Sequence, residues 1–268
     1  MKKYVVFLMM AVSVAAFGQR KKKGEVPAKT ETPAATQPAA QPQAATPPAA
    51  QANQPQSAQQ RAAQQQNPMI NHFLTKFNFA MRFNDPDAAR SALYDLIVAN
   101  PANDSLFLNL AMMYYENQKY PSTILVCQEL LARNAKNITA IELSASSYEG
   151  LNLMDKSLQH YETLYLQTNS YPTLYKMAFL QFDLKRYKEC AATSDILLSK
   201  KEADELKVSY QVAENNTKEF PIKVAILNLK GMVARENGDK VGAKKFFEQA
   251  LAIAPDFIQA KENIAKLK

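Results

Sequence analysis

Tryptophan is absent from the 268-residue chain, and glycine, cysteine and histidine are scarce, with six, two and two residues. Each shortage removes a class of chemistry. The glycines are scattered and form no phosphate-cradling loop. His72 and His160 have no His, Cys or carboxylate at i+3 or i+4, so neither starts a helical metal half-site. Neither a nucleophile elbow nor an HExxH pattern occurs, and no carboxylate pair stands out from ordinary helix faces. The expectation is a protein that is not an enzyme, with no cofactor, no metal and no specific small molecule.

Basic excess is also missing where a nucleic-acid binder needs it. Of the formal +7, Lys2 and Lys3 carry two charges and residues 20–68 a net four, which leaves one for residues 69–268. A nucleic-acid surface would concentrate that charge on the folded part. The chain instead carries it on its leader and on the "RKKK" run at 20–23. That tail allows peripheral association with an anionic surface, either directly or through a partner.

What the sequence does contain falls into three parts. Residues 1–19 read as a secretory signal: Lys2 and Lys3, then the apolar "YVVFLMMAVSVAAF", then small residues before Gln19. The apolar run falls short of the roughly 20 residues of a comfortable membrane span. An uncleaved N-terminal anchor is the other reading. No cysteine follows the signal closely, so a lipid anchor has no attachment point. Residues 20–68 lack Leu, Ile and every aromatic and are rich in Pro, Ala and Gln. Such a segment buries too little apolar surface to offset backbone ordering, and reads as a disordered spacer that reaches roughly 40 Å as a flexible coil. Residues 69–268 hold nearly all the aromatics and form the folded domain.

Within that domain two columns repeat together. Phe77, Ala111, Ala145, Ala178 and Gly231 are spaced by 34, 34, 33 and 53 residues. Ala89, Thr123, Ser157, Cys190 and Ala243 follow the same spacings. A 34-residue period marks a helix–turn–helix repeat. Each unit opens with apolar residues at helical spacing, as in Phe107, Leu110, Ala111 and Tyr114, and turns at a short polar stretch such as "NQKY" at 117–120 or "NGDK" at 237–240. A second helix then places a small residue four positions before a larger one, as in Ala243 and Phe247. Small residues let the two helices approach, and the aromatic fills the space beside them.

This pattern resembles the tetratricopeptide repeat, W-x2-L-G-x2-Y followed by A-x3-F and P. The best match runs through Leu227, Gly231, Ala243, Phe247, Ala250 and Pro255, with Lys230 departing from the usual leucine. The first unit departs most, with Lys76 and Phe77 at the leucine and glycine places, and reads as a degenerate cap. The resemblance implies an all-α, right-handed α-solenoid. Its units lie near 70–103, 104–137, 138–170, 171–200 and 224–257, and a capping helix occupies 258–268. Cys127 and Cys190 fall at core places two units apart, so two free, buried thiols are expected.

The 53-residue spacing places an insertion at 201–223. Leu206, Val208, Tyr210 and Val212 alternate strictly, which suggests a β-hairpin or flap projecting from the array. An extended second helix followed by a plain loop is the alternative.

In stacked units of this kind the first helices line the inner face. Positions one place off the packing stripe select Leu108, Met112 and Tyr115 in the second unit, and Glu142 with Glu149 in the third. They select Tyr175, Phe179 and Phe182 in the fourth, and Asn228, Met232 and Arg235 in the fifth. Some members of the resembled family hold a terminal carboxylate there with Lys, Arg and Asn; these residues are mostly apolar and do not support that clamp. They suit an apolar or aromatic-rich peptide or helix. The reading is an exported, periplasmic or envelope-associated scaffold or adaptor for a protein or peptide partner, not a nucleic acid. An accessory role in glycan or nutrient uptake, or as a non-catalytic subunit of an envelope enzyme, is the alternative.

Overall fold

A computed structural model describes residues 68–213 and 216–267; the expected signal and all of the expected spacer except Pro68, which opens the first helix, lie outside them. Helices alternate with short turns: α1 (Pro68–Arg82), α2 (Pro86–Ala99), α3 (Asp104–Glu116), α4 (Tyr120–Arg133), α5 (Ile138–Gly150) and α6 (Met154–Thr168). They continue as α7 (Tyr171–Asp183) and α8 (Tyr187–Ser199), and a 3-10 turn (Lys201–Glu205) then leads into β1 (Lys207–Ala213) and β2 (Asn216–Pro221). The chain ends in α9 (Ile222–Glu236), α10 (Lys240–Ile253) and α11 (Ile258–Ala265). None of these helices is long and apolar enough to cross a membrane.

Local chemistry sets the helix starts. Asn103, Asn137 and Ser170 cap first helices, each accepting a hydrogen bond from a backbone N–H of the opening turn. Asp85 and Asp239 do the same for second helices. Between the two helices of each unit one residue is left-handed: Asn84, Gln118, Asn152, Lys185 and Gly238, with φ of 55°, 55°, 59°, 59° and 81°. These five fall in register with the two sequence columns.

Those columns form the helix crossings. Ala89, Thr123, Ser157, Cys190 and Ala243 are all 0% exposed, as are Ala111, Ala145 and Ala178. Where a column residue is polar, a backbone carbonyl takes its proton. Ser157 donates to Ala145 O at 2.9 Å, and Thr123 to Lys119 O at 3.3 Å. Gly231 lies so close to Phe247 that any side chain there would meet the ring. Burying a ring of that size contributes about 1.5–3 kcal/mol.

Consecutive helices pack on each other throughout. First helices also touch first helices: α3 meets α5, α7 meets α9, and α9 meets α11. Successive second helices make no comparable contact among the described residues. An array joined along one side and splayed along the other puts its first helices on the inner side, and the fold is a helical-repeat solenoid.

The insertion is the antiparallel hairpin β1–β2, with Val208 opposite Phe220 and Tyr210 opposite Lys218. Its position differs from the projecting flap that the sequence suggests. Val208 and Phe220 are buried. Phe220 packs edge-on to Phe257 at 5.0 Å, and Tyr210 meets the same ring at 5.1 Å. Val208 and Tyr210 of β1 and Phe220 of β2 thus give the hairpin an apolar face, and that face is spent on the repeat stack. Lys218 pairs with Asp256 at its margin.

Both cysteines are unpaired and buried. Burial pushes the Cys127 thiol up to about 11 and the Cys190 thiol to about 12, against smaller lowering hydrogen bonds from Ser144 and Ser194.

Candidate functional site

The inner face begins at α3. Leu108 is half-buried, while Met112 is exposed at the face's rim. Tyr115 leans on the Tyr120 ring at 5.8 Å, and burial raises its phenol against a hydrogen bond from Ser146.

On α5 Glu142 is exposed. One turn on, Ser146 shares a 3.1 Å hydrogen bond with the Tyr161 hydroxyl, which donates to Glu149 Oε2 at 3.2 Å. Lys176 Nζ reaches both oxygens of Glu149, at 3.0 and 3.2 Å. Glu149 is therefore fully engaged. Burial, followed by the Glu149 charge, raises the Tyr161 phenol. Asp183, at the end of α7, is exposed overall; partial burial of its carboxyl and then the charge of Glu149 hold it above the ordinary carboxylate range.

On α7 the three aromatic residues divide. Phe179 and Phe182 remain half-buried on the face. Phe182 leans on Tyr187 at 5.6 Å. Tyr175 is only 2% exposed. Its ring lies 4.8 Å from Phe179, and its hydroxyl shares a 3.0 Å hydrogen bond with Tyr210 of the hairpin.

A polar relay occupies α9. Arg235 Nη1 donates to Asn263 Oδ1 at 3.2 Å, and Asn263 Nδ2 donates to Asn228 Oδ1 at 3.0 Å. Asn228 is buried by this contact with α11, whereas Met232 and Arg235 stay partly exposed. Arg235 also pairs with Glu236.

The expected face thus holds Leu108, Met112, Tyr115, Glu142, Phe179, Phe182, Met232 and Arg235 at a surface. Tyr175 and Asn228 face internal partners instead. Sequence spacing missed Ser146, although it stands four places after Glu142 and was within reach of the same rule. Lys176 and Asp183 carried no signal, because their importance comes from Glu149 on another helix. The arrangement offers aromatic and thioether surface on α3, α7 and α9, with Glu142 exposed on the intervening α5, Asp183 at the end of α7, and the Lys176 and Arg235 cations already paired.

Elsewhere the histidines are apart. His160 stacks on Tyr148 at 5.3 Å, and burial lowers its basicity. His72 meets the edge of Phe73 at 5.8 Å. No cluster of metal-ligating side chains occurs among the described residues.

No protein-family model and no curated protein matches the chain. Solved structures do match in fold. A tetratricopeptide repeat protein from Parabacteroides merdae shares 20% identity, with 75% of this chain and 72% of that one covered and a TM-score of 0.56. YrrB, described as a tetratricopeptide repeat protein with an unusual peptide-binding site, shares 10% identity over 76% of this chain and 96% of its own, with a TM-score of 0.57. MamA from Desulfovibrio magneticus shares 8% identity over 70% and 97%, with a TM-score of 0.54.

Proposed function

We propose that this chain, whose fold is that of the tetratricopeptide repeat, is a non-enzymatic scaffold or adaptor of the bacterial cell envelope. It holds a peptide or helix of a protein partner on its inner face. The observation that carries the reading is the set of apolar side chains left at the surface of the first helices, Met112 and Tyr115 on α3, Phe179 and Phe182 on α7 and Met232 on α9, interrupted on α5 by Glu142, Ser146 and Glu149. A partner segment with apolar anchors and one or two basic residues suits such a surface, because buried aromatic contacts supply affinity and rim charges set register. Export is supported by Lys2 and Lys3 followed by the apolar run, and reach by the Pro/Ala/Gln-rich segment before the repeats.

A peptide array probed with the full mature chain tests the reading. Apolar peptides carrying Lys or Arg are expected to bind, and Met112→Ala plus Phe182→Ala to weaken them at least tenfold. Binding that is unchanged in this variant removes the inner face from the account. Fractionation of the producing cell tests location: cytoplasmic recovery with an intact N-terminus would contradict export.

A further inference from the structure

Three places recur on the inner side at the repeat spacing, and their polarity changes along the stack. On α3 they are Leu108, Met112 and Tyr115; on α7 they are Tyr175, Phe179 and Phe182. Between these apolar rows, α5 puts Glu142, Ser146 and Glu149. Two of the three are already engaged. Ser146 bonds to the Tyr161 hydroxyl, and Glu149 to Tyr161 and Lys176. Glu142 has no hydrogen bond or ion pair among the described residues. The charges of Glu142 and Glu149 both act on the Tyr115 phenol of α3, and that of Glu149 also acts on Asp183 of α7. The acidic row is therefore adjacent to both apolar ones.

Charge is sorted the same way. Helices α3, α5 and α7 carry Asp104, Glu116, Glu142, Glu149 and Asp183 against a single cation, Lys176. Arg133 of α4 pairs with Asp104, and Lys176 with Glu149. Glu116, Glu142 and Asp183 are exposed and have no cation among the described residues. The middle of the inner side thus holds an uncompensated acid surplus on a chain whose formal charge is +7.

Distance narrows the occupant further. Helices packed about 8–10 Å apart put the α3 and α7 rows about 20 Å from each other. An extended chain rises about 3.3 Å per residue, so it covers that span in about six residues, with every second side chain on one side. A helix needs about 13 residues at 1.5 Å each and lays several side chains on α5. That helix offers one open carboxylate, which a single side chain satisfies.

We propose that the segment held on the inner face is extended and basic: two apolar side chains six residues apart rest on the α3 and α7 rows, and a Lys or Arg between them pairs with Glu142. The inference rests on the inner-face reading and adds order, spacing and charge to it. An acidic tail is repelled from the same face by Glu116, Glu142 and Asp183.

The test uses the full mature chain and fluorescent 12-residue peptides of Gly, Ser and Asn with amidated ends. The parent carries Phe at positions 3 and 9 and Lys at 5 and 7. One companion replaces both Lys by Glu, and a second moves Phe to positions 3 and 5 with Lys at 7 and 9. A third is an Ala-rich helical 18-residue peptide with Phe at 3 and 17 and Lys at 10. Anisotropy is expected to show saturable binding of the parent and at least tenfold weaker binding of the Glu companion. The close-spaced and helical peptides should bind at least fivefold more weakly than the parent. Glu142→Lys plus Asp183→Lys should invert the charge preference, so that the Glu companion binds tighter than the parent. Both residues are exposed and unpaired, so the thermal melt should stay in place. Equal binding of the parent and the Glu companion overturns the proposal. So does a doubly substituted chain without inversion, tightest binding by the close-spaced or helical peptide, or no saturable binding of the parent. In these outcomes the peptide array still decides whether the inner face binds at all. Parent binding that survives Met112→Ala plus Phe182→Ala removes the inner-face reading and this inference together.

Discussion

Tyr175 on α7 and Tyr210 on β1 share one hydrogen bond, 3.0 Å between their phenol oxygens, where the hairpin meets the fourth unit. Burial raises both phenols, that of Tyr210 to about 12. Either hydroxyl left alone would be a buried polar group without this partner, a loss of about 1–3 kcal/mol. Tyr175→Phe and Tyr210→Phe should each destabilise the protein by about that amount. The double variant should cost less than their sum. Urea unfolding of all four proteins measures the coupling; strict additivity would mean that the bond does not hold the hairpin.

Gly231→Ala has two opposed effects. Alanine gains about 1 kcal/mol of helix propensity over glycine. Its methyl group, however, would enter the Phe247 ring, which is fully buried and has nowhere to retreat. Overpacking costs typically about 1–3 kcal/mol, so the net sign is destabilising. Phe247→Leu should partly restore the melting temperature of Gly231→Ala. A Gly231→Ala protein that melts above the wild type would refute the close approach.

The left-handed turn residues predict stabilising substitutions. Gln118 and Lys185 adopt a backbone that is uphill for a residue with a Cβ by about 1–2 kcal/mol. Glycine removes that strain but loses about 0.4–1 kcal/mol to unfolded-chain entropy. Gln118→Gly and Lys185→Gly should each stabilise the protein by about 0.5–1 kcal/mol. Asn152→Gly should do less, since asparagine tolerates the region. Calorimetric melts rank the three, and an inverted ranking would count against the turn assignment.

The two thiols should be inert in the folded protein. With Cys127 near 11 and Cys190 near 12, thiolate is scarce at pH 8 and burial blocks access. Iodoacetamide at that pH should label neither residue within minutes in the native protein and both in urea. Fast native labelling of either would place it outside the helix crossings.

The helical repeat was legible because small residues at helix crossings are forced: Ala111, Ala145 and Ala178 have no room to be anything bulkier. Turn conformation was less visible, since Gln118 and Lys185 hold a position for which glycine is the usual marker. The hairpin's strands could be read from the alternation through Val208 and Tyr210, but not where its apolar face would go. The two inner-face residues that proved buried show the same limit. Tyr175 is covered by a partner 35 residues on, and so is Asn228, by Asn263. Spacing within a helix reports which side a residue faces; it says nothing of a remote element that later settles on that side.

Tyr210 touches Tyr175 of the fourth unit and Phe257 at the threshold of α11, so the strand pair works as a clasp over the fifth unit. Pulled from its two ends, the chain should yield first in the units before α7, which rely on nearest-neighbour packing alone. The clasped rear half should give way later and in a single step.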